Sequence, residues 1–268
     1  MIKRESSHLL SVVIPAYKQE KTIVKDLRRI RAVLDKIRYD YEIICVVDGQ
    51  VDKTFPKARR LKSGKIKVVG YENNKGKGYA VRYGMVRSKG DLIAFIDAGM
   101  DINPNGLSMV LEHMEWYSAD IIAGSKRHPA SKVPSYPFIR KVYSFGYHFL
   151  AWLLFGLKLR YTQAGLKIFR REVLEKVLPR LLVKTHAFDI EVLAVAKELG
   201  FNRIFEAPIE IDPQSFKFSS TIRWRTVRDM LLDTLAVFYR LRILRYYDDH
   251  NRRKWRYDPE LDFRVNLG

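Results

Sequence analysis

Between Leu9 and Gly124 the hydrophobic period of the chain switches back and forth, and that alternation constrains the fold more than any other feature. Leu9–Ile14 is a nearly unbroken apolar run, Leu-Leu-Ser-Val-Val-Ile. Such a run suits a strand covered on both faces rather than one with a wet side. Ile23, Leu27, Ile30, Leu34 and Ile37 then recur at intervals of 4, 3, 4 and 3, which is one apolar helix face. Tyr41–Val47, Ile66–Val69, Asp91–Ile96 and Ala119–Gly124 read as further strands, and Gly78–Ser88 as a helix. Asn103-Pro104 has the form of an N-cap and first helical residue, opening a helix striped by Leu107, Val110, Leu111 and Met114. Repeated βαβ units predict an α/β, doubly wound, mostly parallel sheet whose ligand lies beyond the carboxyl ends of the strands. Those ends carry the unusual residues: Pro15-Ala-Tyr17, Asp48-Gly49 and Asp97-Ala-Gly-Met-Asp101.

The second half changes character. Phe138–Lys158 is aromatic, basic and helical in pattern, and Thr162–Phe169 looks extended. Ala187–Leu199 reads as a helix closed by Gly200, Arg203–Ile211 as a strand, Thr221–Tyr247 as a long basic helix, and the rest as a polar tail. A length of 268 residues with 47% hydrophobic content admits one large domain, or one domain with an appendage.

Charge narrows the partners. Lys and Arg number 49 against 30 Asp and Glu, a formal net of +19, which implies a polyanion: nucleic acid, an anionic membrane leaflet or a phosphorylated substrate. The single cysteine, Cys45, excludes an internal disulfide and points to a reducing, cytoplasmic compartment. The apolar stretch Leu9–Ala16 is short for a signal peptide and holds Pro15. The longest apolar run elsewhere, Phe145–Leu157, covers 13 residues including His148, where a spanning helix needs about 20. The expectation is a soluble or peripheral protein.

Asp97 and Asp101 stand at the predicted mouth of the sheet. Two carboxylates there supply hard oxygen ligands for a divalent cation on a diphosphate, although Asp97 could equally cap a turn and Asp101 be solvated surface. Asp48, at another strand end, can accept from a base N–H or a ribose hydroxyl, or satisfy its own turn. Asn73-Asn-Lys-Gly-Lys-Gly78 is a Gly-rich basic loop running into a helix. Its backbone N–H groups, with Lys75 and Lys77, suit a phosphate, although the P-loop spacing is absent. Phe188-Asp-Ile-Glu191 offers Asp189 and Glu191 as candidate general bases, or as acids that cap the helix they open.

Taken in order, Ser11-Val-Val-Ile-Pro-Ala-Tyr17, Glu42-Ile-Ile-Cys-Val-Val-Asp48-Gly49, Asn74-Lys-Gly-Lys-Gly78 and Asp97-Ala98 resemble the GT-A-type, inverting family 2 glycosyltransferases. Thr162-Gln-Ala-Gly-Leu-Lys-Ile-Phe169, Phe188-Asp-Ile-Glu191 and Ser215-Phe-Lys217 are similar to the dolichyl- or polyprenyl-phosphate hexosyltransferases, with the dolichyl-phosphate β-glucosyltransferase branch matching best. The resemblance runs over about residues 9–240 and implies a GT-A fold, hexose transfer from a UDP- or GDP-sugar, and a polyprenyl or dolichyl phosphate acceptor. It implies a domain over 1–215, split into a nucleotide-sugar half (1–124) and an acceptor half (125–215). A basic amphipathic, membrane-interface helical region (216–247) and a polar tail (248–268) follow.

By position, the resemblance implies that Pro15, Ala16 and Tyr17 line the base pocket and that Asp48 touches the base. Gln19, Lys75 and Lys77 join the nucleotide-sugar site. Asp97, Ala98 and Gly99 run along the ribose and diphosphate, and Asp97 and Asp101 hold Mg²⁺ or Mn²⁺. Ser125, Lys126, Arg127, Arg140 and Lys217 hold the acceptor phosphate. Four departures stand out, one of them Tyr161 where an Asp often precedes the Thr of Thr162-Gln163. Gln19 replaces a common Glu, Val47-Asp48 replaces an Asp-Asp pair, and Gly99 replaces the second Asp of the DxD motif. A hydroxyl acceptor, a non-catalytic homologue and a nucleic-acid-binding protein are the rival readings. The last lacks any recognition motif.

Phe138–Phe155 and Thr221–Tyr247 mix apolar, aromatic and basic residues as interfacial helices do; the same faces could instead be buried in the core or in a dimer. The implied location is peripheral on the cytoplasmic membrane face, docked through charge or through a membrane protein.

Overall fold

The computed structural model describes residues 8–134, 138–212, 224–248, 255–261 and 263–266. Four parallel strands built from near-continuous apolar runs form its centre: β1 (Leu9–Ala16), β2 (Asp40–Asp48), β3 (Ile66–Tyr71) and β4 (Leu92–Ile96). Every residue of β4 is buried, as is all of β1 after Leu9. That is why these strands lack the polar alternation of a half-wet sheet.

Helix α1 (Ile23–Leu34) buries Ile23, Leu27, Ile30 and Leu34, the face the spacing predicts. Helices α2 (Thr54–Arg59), α3 (Lys77–Val86) and α4 (Gly106–Trp116) complete the first half. α4 opens two residues later than Asn103-Pro104 suggests. Asn103 still serves the turn before it, accepting from the Asn105 N–H through Oδ1 at 3.1 Å and from the Gly106 N–H through its carbonyl at 2.9 Å.

Strand β5 (Ile121–Ser125), helix α5 (Phe138–Phe155), strand β6 (Leu166–Arg170), helices α6 (Arg171–Val177) and α7 (Phe188–Glu198) and strand β7 (Ile204–Pro208) follow. The sheet order is β3-β2-β1-β4-β6-β5-β7, so strands from both halves share one sheet. β6 runs antiparallel to both neighbours, with Ile96 paired to Leu166. Its reversal brings the start of β6 to the carboxyl end of β4, and that juxtaposition builds the site.

α8 (Trp224–Phe238) continues into a π-helical turn over Tyr239–Ile243. It buries Thr234, Val237 and Leu241 and meets α5 through a 3.0 Å hydrogen bond between Tyr147 and Thr234 and an edge contact of Phe155 with Phe238. The tail is not merely polar: β8 (Trp255–Asp258) and β9 (Phe263–Asn266) pair as an antiparallel hairpin whose Leu261 and Val265 pack against Tyr79 of α3. Cys45 is fully buried in β2, and burial pushes its thiol up to about 12. Among the described residues no helix is long and apolar enough to cross a membrane.

Candidate active site

Asp97 follows the last residue of β4, and its N–H donates to the Gly165 carbonyl at 2.9 Å, extending the β4–β6 pairing by one step. A Cβ on Gly165 would fall inside the Asp97 carboxylate, so glycine is what lets the carboxylate lie over the start of β6. The next residue, Ala98, donates to the Pro15 carbonyl at 3.4 Å, tying the end of β1 to the same turn. Gly99 takes φ +91° and Met100 φ +59°, a sharp turn that a glycine enters without penalty. The Gly99 N–H donates to Asp26 at 3.1 Å, and the Gln19 amide lies beside it, fixed by a 2.8 Å bond from Thr22.

The Asp97 carboxylate is used asymmetrically. Oδ2 accepts from Lys77 Nζ at 2.8 Å, whereas Oδ1 is buried with no hydrogen-bond partner among the described residues. Lys77 also reaches Asp189 Oδ2 at 3.4 Å, and Asp189 Oδ1 pairs with Lys167, which also donates to the Ala164 carbonyl at 2.9 Å. Phe95 floors this cluster, with the two ammonium groups 5.4 and 5.3 Å from its ring. Two acids and two ammonium groups therefore balance in a recess where Asp189 and Lys167 are 2% and 0% exposed.

Burial alone would raise the Asp189 pKa, but Lys167 and Lys77 outweigh it and hold the carboxyl below its ordinary range. Burial works against the Lys77 charge as well; Asp189 and Asp97 outweigh it and hold the ammonium above the usual lysine range. Lys167, the most enclosed, is pushed down by burial.

Asp101 follows the turn at Gly99 and Met100 and is exposed, within electrostatic reach of Asp97 and Lys126. Surrounding protein raises its carboxyl pKa, Lys126 opposes the rise, and Asp97 adds to it. Asp101 and Lys126 thus lie within electrostatic reach of the Asp97–Lys77–Asp189 cluster. The orphaned Oδ1 and the nearby second carboxylate fit a hard divalent cation. No group of three or more His, Cys, Asp or Glu surrounds that position among the described residues, so phosphate oxygens or water must complete any coordination.

Other expected residues go elsewhere. The backbone N–H groups of the Gly-rich loop do not face an open phosphate site. Those of Lys75 and Gly76 donate to the Asp48 carboxylate at 2.7 and 3.0 Å, and those of Gly78 and Tyr79 to the Lys184 carbonyl at 2.9 and 3.4 Å. Asp48 also accepts from Tyr71 and the Asn74 amide, so it anchors this loop. The Lys75 ammonium pairs with Glu260 of the C-terminal hairpin, which Tyr79 also contacts.

Glu191 is fully buried and accepts from the Leu182 and Val183 N–H groups and the Tyr247 hydroxyl, a structural role away from Asp97. Its pKa is raised by burial, which those hydrogen bonds offset only in part. Ser125 is buried as the last residue of β5, its Oγ accepting from the Arg127 N–H at 3.3 Å. Pro15 and Ala16 are buried at the end of β1, while Tyr17 is 41% exposed. Lys217 and the Arg140 side chain lie outside the described residues. Gly165 and Lys167 were not singled out from the sequence. A lysine inside the apolar run Leu166-Lys-Ile-Phe169 is the signal that could have found the latter.

Residues 11–178 match the family described as Glycosyl transferase family 2. The dolichyl-phosphate beta-glucosyltransferase of Drosophila melanogaster is 34% identical over 205 residues, covering 71% of this chain and 63% of that protein. The Homo sapiens protein of the same name is 32% identical over 250 residues, covering 88% and 76%. Among solved structures, glucosyl-3-phosphoglycerate synthase from Mycobacterium tuberculosis, in complex with Mn²⁺, UDP and phosphoglyceric acid, superposes with a TM-score of 0.65 at 19% identity. It covers 97% of this chain and 87% of that one, a likeness of fold. With more than half of its length inside the family match and a motif-bearing turn at the carboxyl end of β4, this chain belongs to glycosyltransferase family 2.

Proposed function

We propose that this chain transfers a hexose, with inversion, from a UDP- or GDP-sugar to a polyprenyl or dolichyl phosphate at the cytoplasmic face of a membrane. The observation that carries the choice of acceptor is the state of Asp189. A sugar hydroxyl needs a general base poised near neutrality. Asp189, the acid nearest Asp97 on α7, is locked between two ammonium groups and held well ionised. A lipid phosphate is already anionic, and cations that aim it suffice. Its oxygen attacks the anomeric carbon as the bond from that carbon to the nucleoside diphosphate breaks.

In this reading Lys77 and Lys126 neutralise charge around the leaving diphosphate. Asp97 Oδ1 and Asp101 are the oxygens that would hold Mg²⁺ or Mn²⁺, which supplies further neutralisation when bound. Asp48 sits at the end of β2, where its carboxylate anchors the Gly-rich loop, and on this reading that loop would face the base of the donor. Lys126 and Arg127 lead from the cluster toward α5, where the Arg127 guanidinium lies 5.5 Å from the Phe145 ring.

Two exposed apolar stripes support the membrane part. On α5 they are Val142, Phe145, Phe149, Trp152 and Leu153; along α8 and the turn after it they are Leu232, Leu235, Tyr239, Ile243 and Leu244. Arg228 and Arg242 flank the second stripe, and the net charge of +19 favours an anionic leaflet. The relatives named for dolichyl phosphate point the same way.

The test is transfer from radiolabelled UDP- and GDP-sugars to short-chain polyprenyl phosphate, with Mg²⁺, Mn²⁺ or EDTA, for wild type and Asp97→Ala. Cation-dependent glycolipid from one donor, lost in Asp97→Ala, is the expected result. Product formed only on a hydroxyl acceptor, or full activity in the variant, would overturn the reading.

A further inference from the structure

Lys77 occupies the place from which a residue of this chain can decide when a cation reaches Asp97. Its ammonium lies 2.8 Å from Asp97 Oδ2 and 3.4 Å from Asp189 Oδ2, and its side chain is only 17% exposed. Asp97 therefore presents one oxygen already covered by a cation and one that is buried and, among the described residues, bare. Two residues on stands Gly99, so no second carboxylate flanks Asp97 at that position.

A divalent ion arriving alone would share the Asp97 carboxylate with an ammonium that is only 17% exposed, and between such partly buried cations like charges repel more strongly than in bulk solvent. A nucleoside diphosphate changes that balance. Its phosphate oxygens offer ligands to the metal and a new acceptor to the ammonium together. Lys77 can leave Asp97 without being stranded, because Asp189 remains as its second partner. Asp189 in turn stays neutralised by Lys167 whether or not Lys77 moves.

We propose that Lys77 makes cation binding conditional on the sugar-nucleotide donor: in the free protein its ammonium holds Asp97, and the donor's phosphates draw it off so that Asp97 can take the metal. This deepens the function proposed above and rests on it. Lys77 acts here as a positioning residue with two alternative partners 2.8 and 3.4 Å away. Lys75 cannot substitute for it, since the Lys75 ammonium is engaged by Glu260.

The experiment is Mn²⁺ binding to the full chain, read by the paramagnetic resonance signal of free Mn²⁺ and by calorimetry, without nucleotide and then with UDP or GDP. Wild type should bind Mn²⁺ alone poorly and bind it well with the matching nucleotide. Lys77→Gln and Lys77→Met should bind Mn²⁺ alone about tenfold tighter or more than wild type, the size expected when a like charge beside the ligand is removed. Lys77→Arg, which keeps the charge, should resemble wild type.

Folded Lys77→Gln and Lys77→Met with no gain in nucleotide-free Mn²⁺ affinity would overturn the proposal while leaving the donor reading intact. If those variants do not fold, wild type alone still decides: Mn²⁺ bound as tightly without nucleotide as with it would overturn the proposal. No Mn²⁺ bound with either nucleotide would instead remove the cation from the proposed function, and this inference with it.

Discussion

Glu191 lies two residues from Asp189 on the same helix, and replacing it separates a structural acid from a chemical one. Its carboxylate accepts from the Leu182 N–H at 3.0 Å, the Val183 N–H at 2.9 Å and the Tyr247 hydroxyl at 2.7 Å, all around a fully buried side chain. Glu191→Ala strips three donors of their acceptor. A buried donor left bare costs about 1–3 kcal/mol, so the variant should lose roughly 4 kcal/mol if water enters the vacated space and re-satisfies part of the set. For a chain of this size that is a fall of about 10 °C in Tm. Glu191→Gln keeps an oxygen for the two backbone groups, and its amide can donate to the Tyr247 oxygen, so its cost should stay within about 1 kcal/mol.

The pH dependence provides a second reading of the same residue. Burial raises the folded-state pKa of Glu191 above its unfolded value. The folded protein therefore keeps a proton that the unfolded chain has lost. The associated stability is fully present below about pH 4.3 and is lost as pH rises through the raised folded value. Glu191→Gln cannot lose that proton, so its Tm should gain on wild type as pH climbs through that window, by scans run in parallel. The turnover of Glu191→Gln should stay close to wild type. A folded Glu191→Gln with kcat down about 10²-fold would return the residue to acid–base chemistry, and a Glu191→Ala as stable as wild type would refute the hydrogen-bond argument.

Gly165→Ala should displace the Asp97 carboxylate that its new methyl group overlaps, lowering kcat/KM by about 10²-fold, the scale on which small misplacements act, with the circular dichroism spectrum unchanged. Unaltered steady-state kinetics would show that Asp97 has room to move without consequence. The pair Trp152→Glu and Leu153→Glu, both on the exposed stripe of α5, should leave Tm within about 2 °C of wild type because neither side chain is core. Sedimentation with anionic liposomes should fall by about 10²-fold or more as two apolar groups and their burial are lost; undiminished binding would move the docking surface elsewhere.

Much of the fold is readable from residues because parallel strands in a two-sided sheet have no alternative to continuous apolar runs. β1, β2 and β4 were placed to within a residue or two for that reason. The direction of β6 was not readable, since an apolar run carries no arrow, and it is this reversal that sets Gly165 beside Asp97. The C-terminal hairpin escaped notice because its buried contribution, among the described residues, is Leu261 and Val265, too sparse to show a period.

The candidate site divides along a similar line. Asp97 stands at a strand end, and its place follows from fold class. Asp48 and the Gly-rich loop were also placed, but their hydrogen-bond partners were not. The loop N–H groups are taken by a carboxylate 27 residues earlier and by the carbonyl of Lys184. Only the folded chain brings these together. Asp189 and Glu191 could have been told apart, because residues two apart on a helix point to nearly opposite sides and cannot both face one cleft.

The four charges around Phe95 give Gly99 a physical meaning. Asp97 and Asp189 are matched by Lys77 and Lys167, so the recess is neutral before any ligand arrives. A further carboxylate at position 99 would tip that balance and favour a resident cation. Space does not forbid one: a Cβ there would meet only the Gln19 amide, at 3.7 and 3.9 Å, and aspartate tolerates the left-handed backbone better than most residues. Glycine at 99 leaves Asp97 paired with Lys77 in the free protein, and on the inference drawn above the donor's oxygens would take the place of that lysine. If the proposed donor gating holds, the departure from the DxD pattern and the reach of Lys77 to Asp97 are two sides of one charge balance, in which the donor's phosphates would supply the negative charge that the chain withholds.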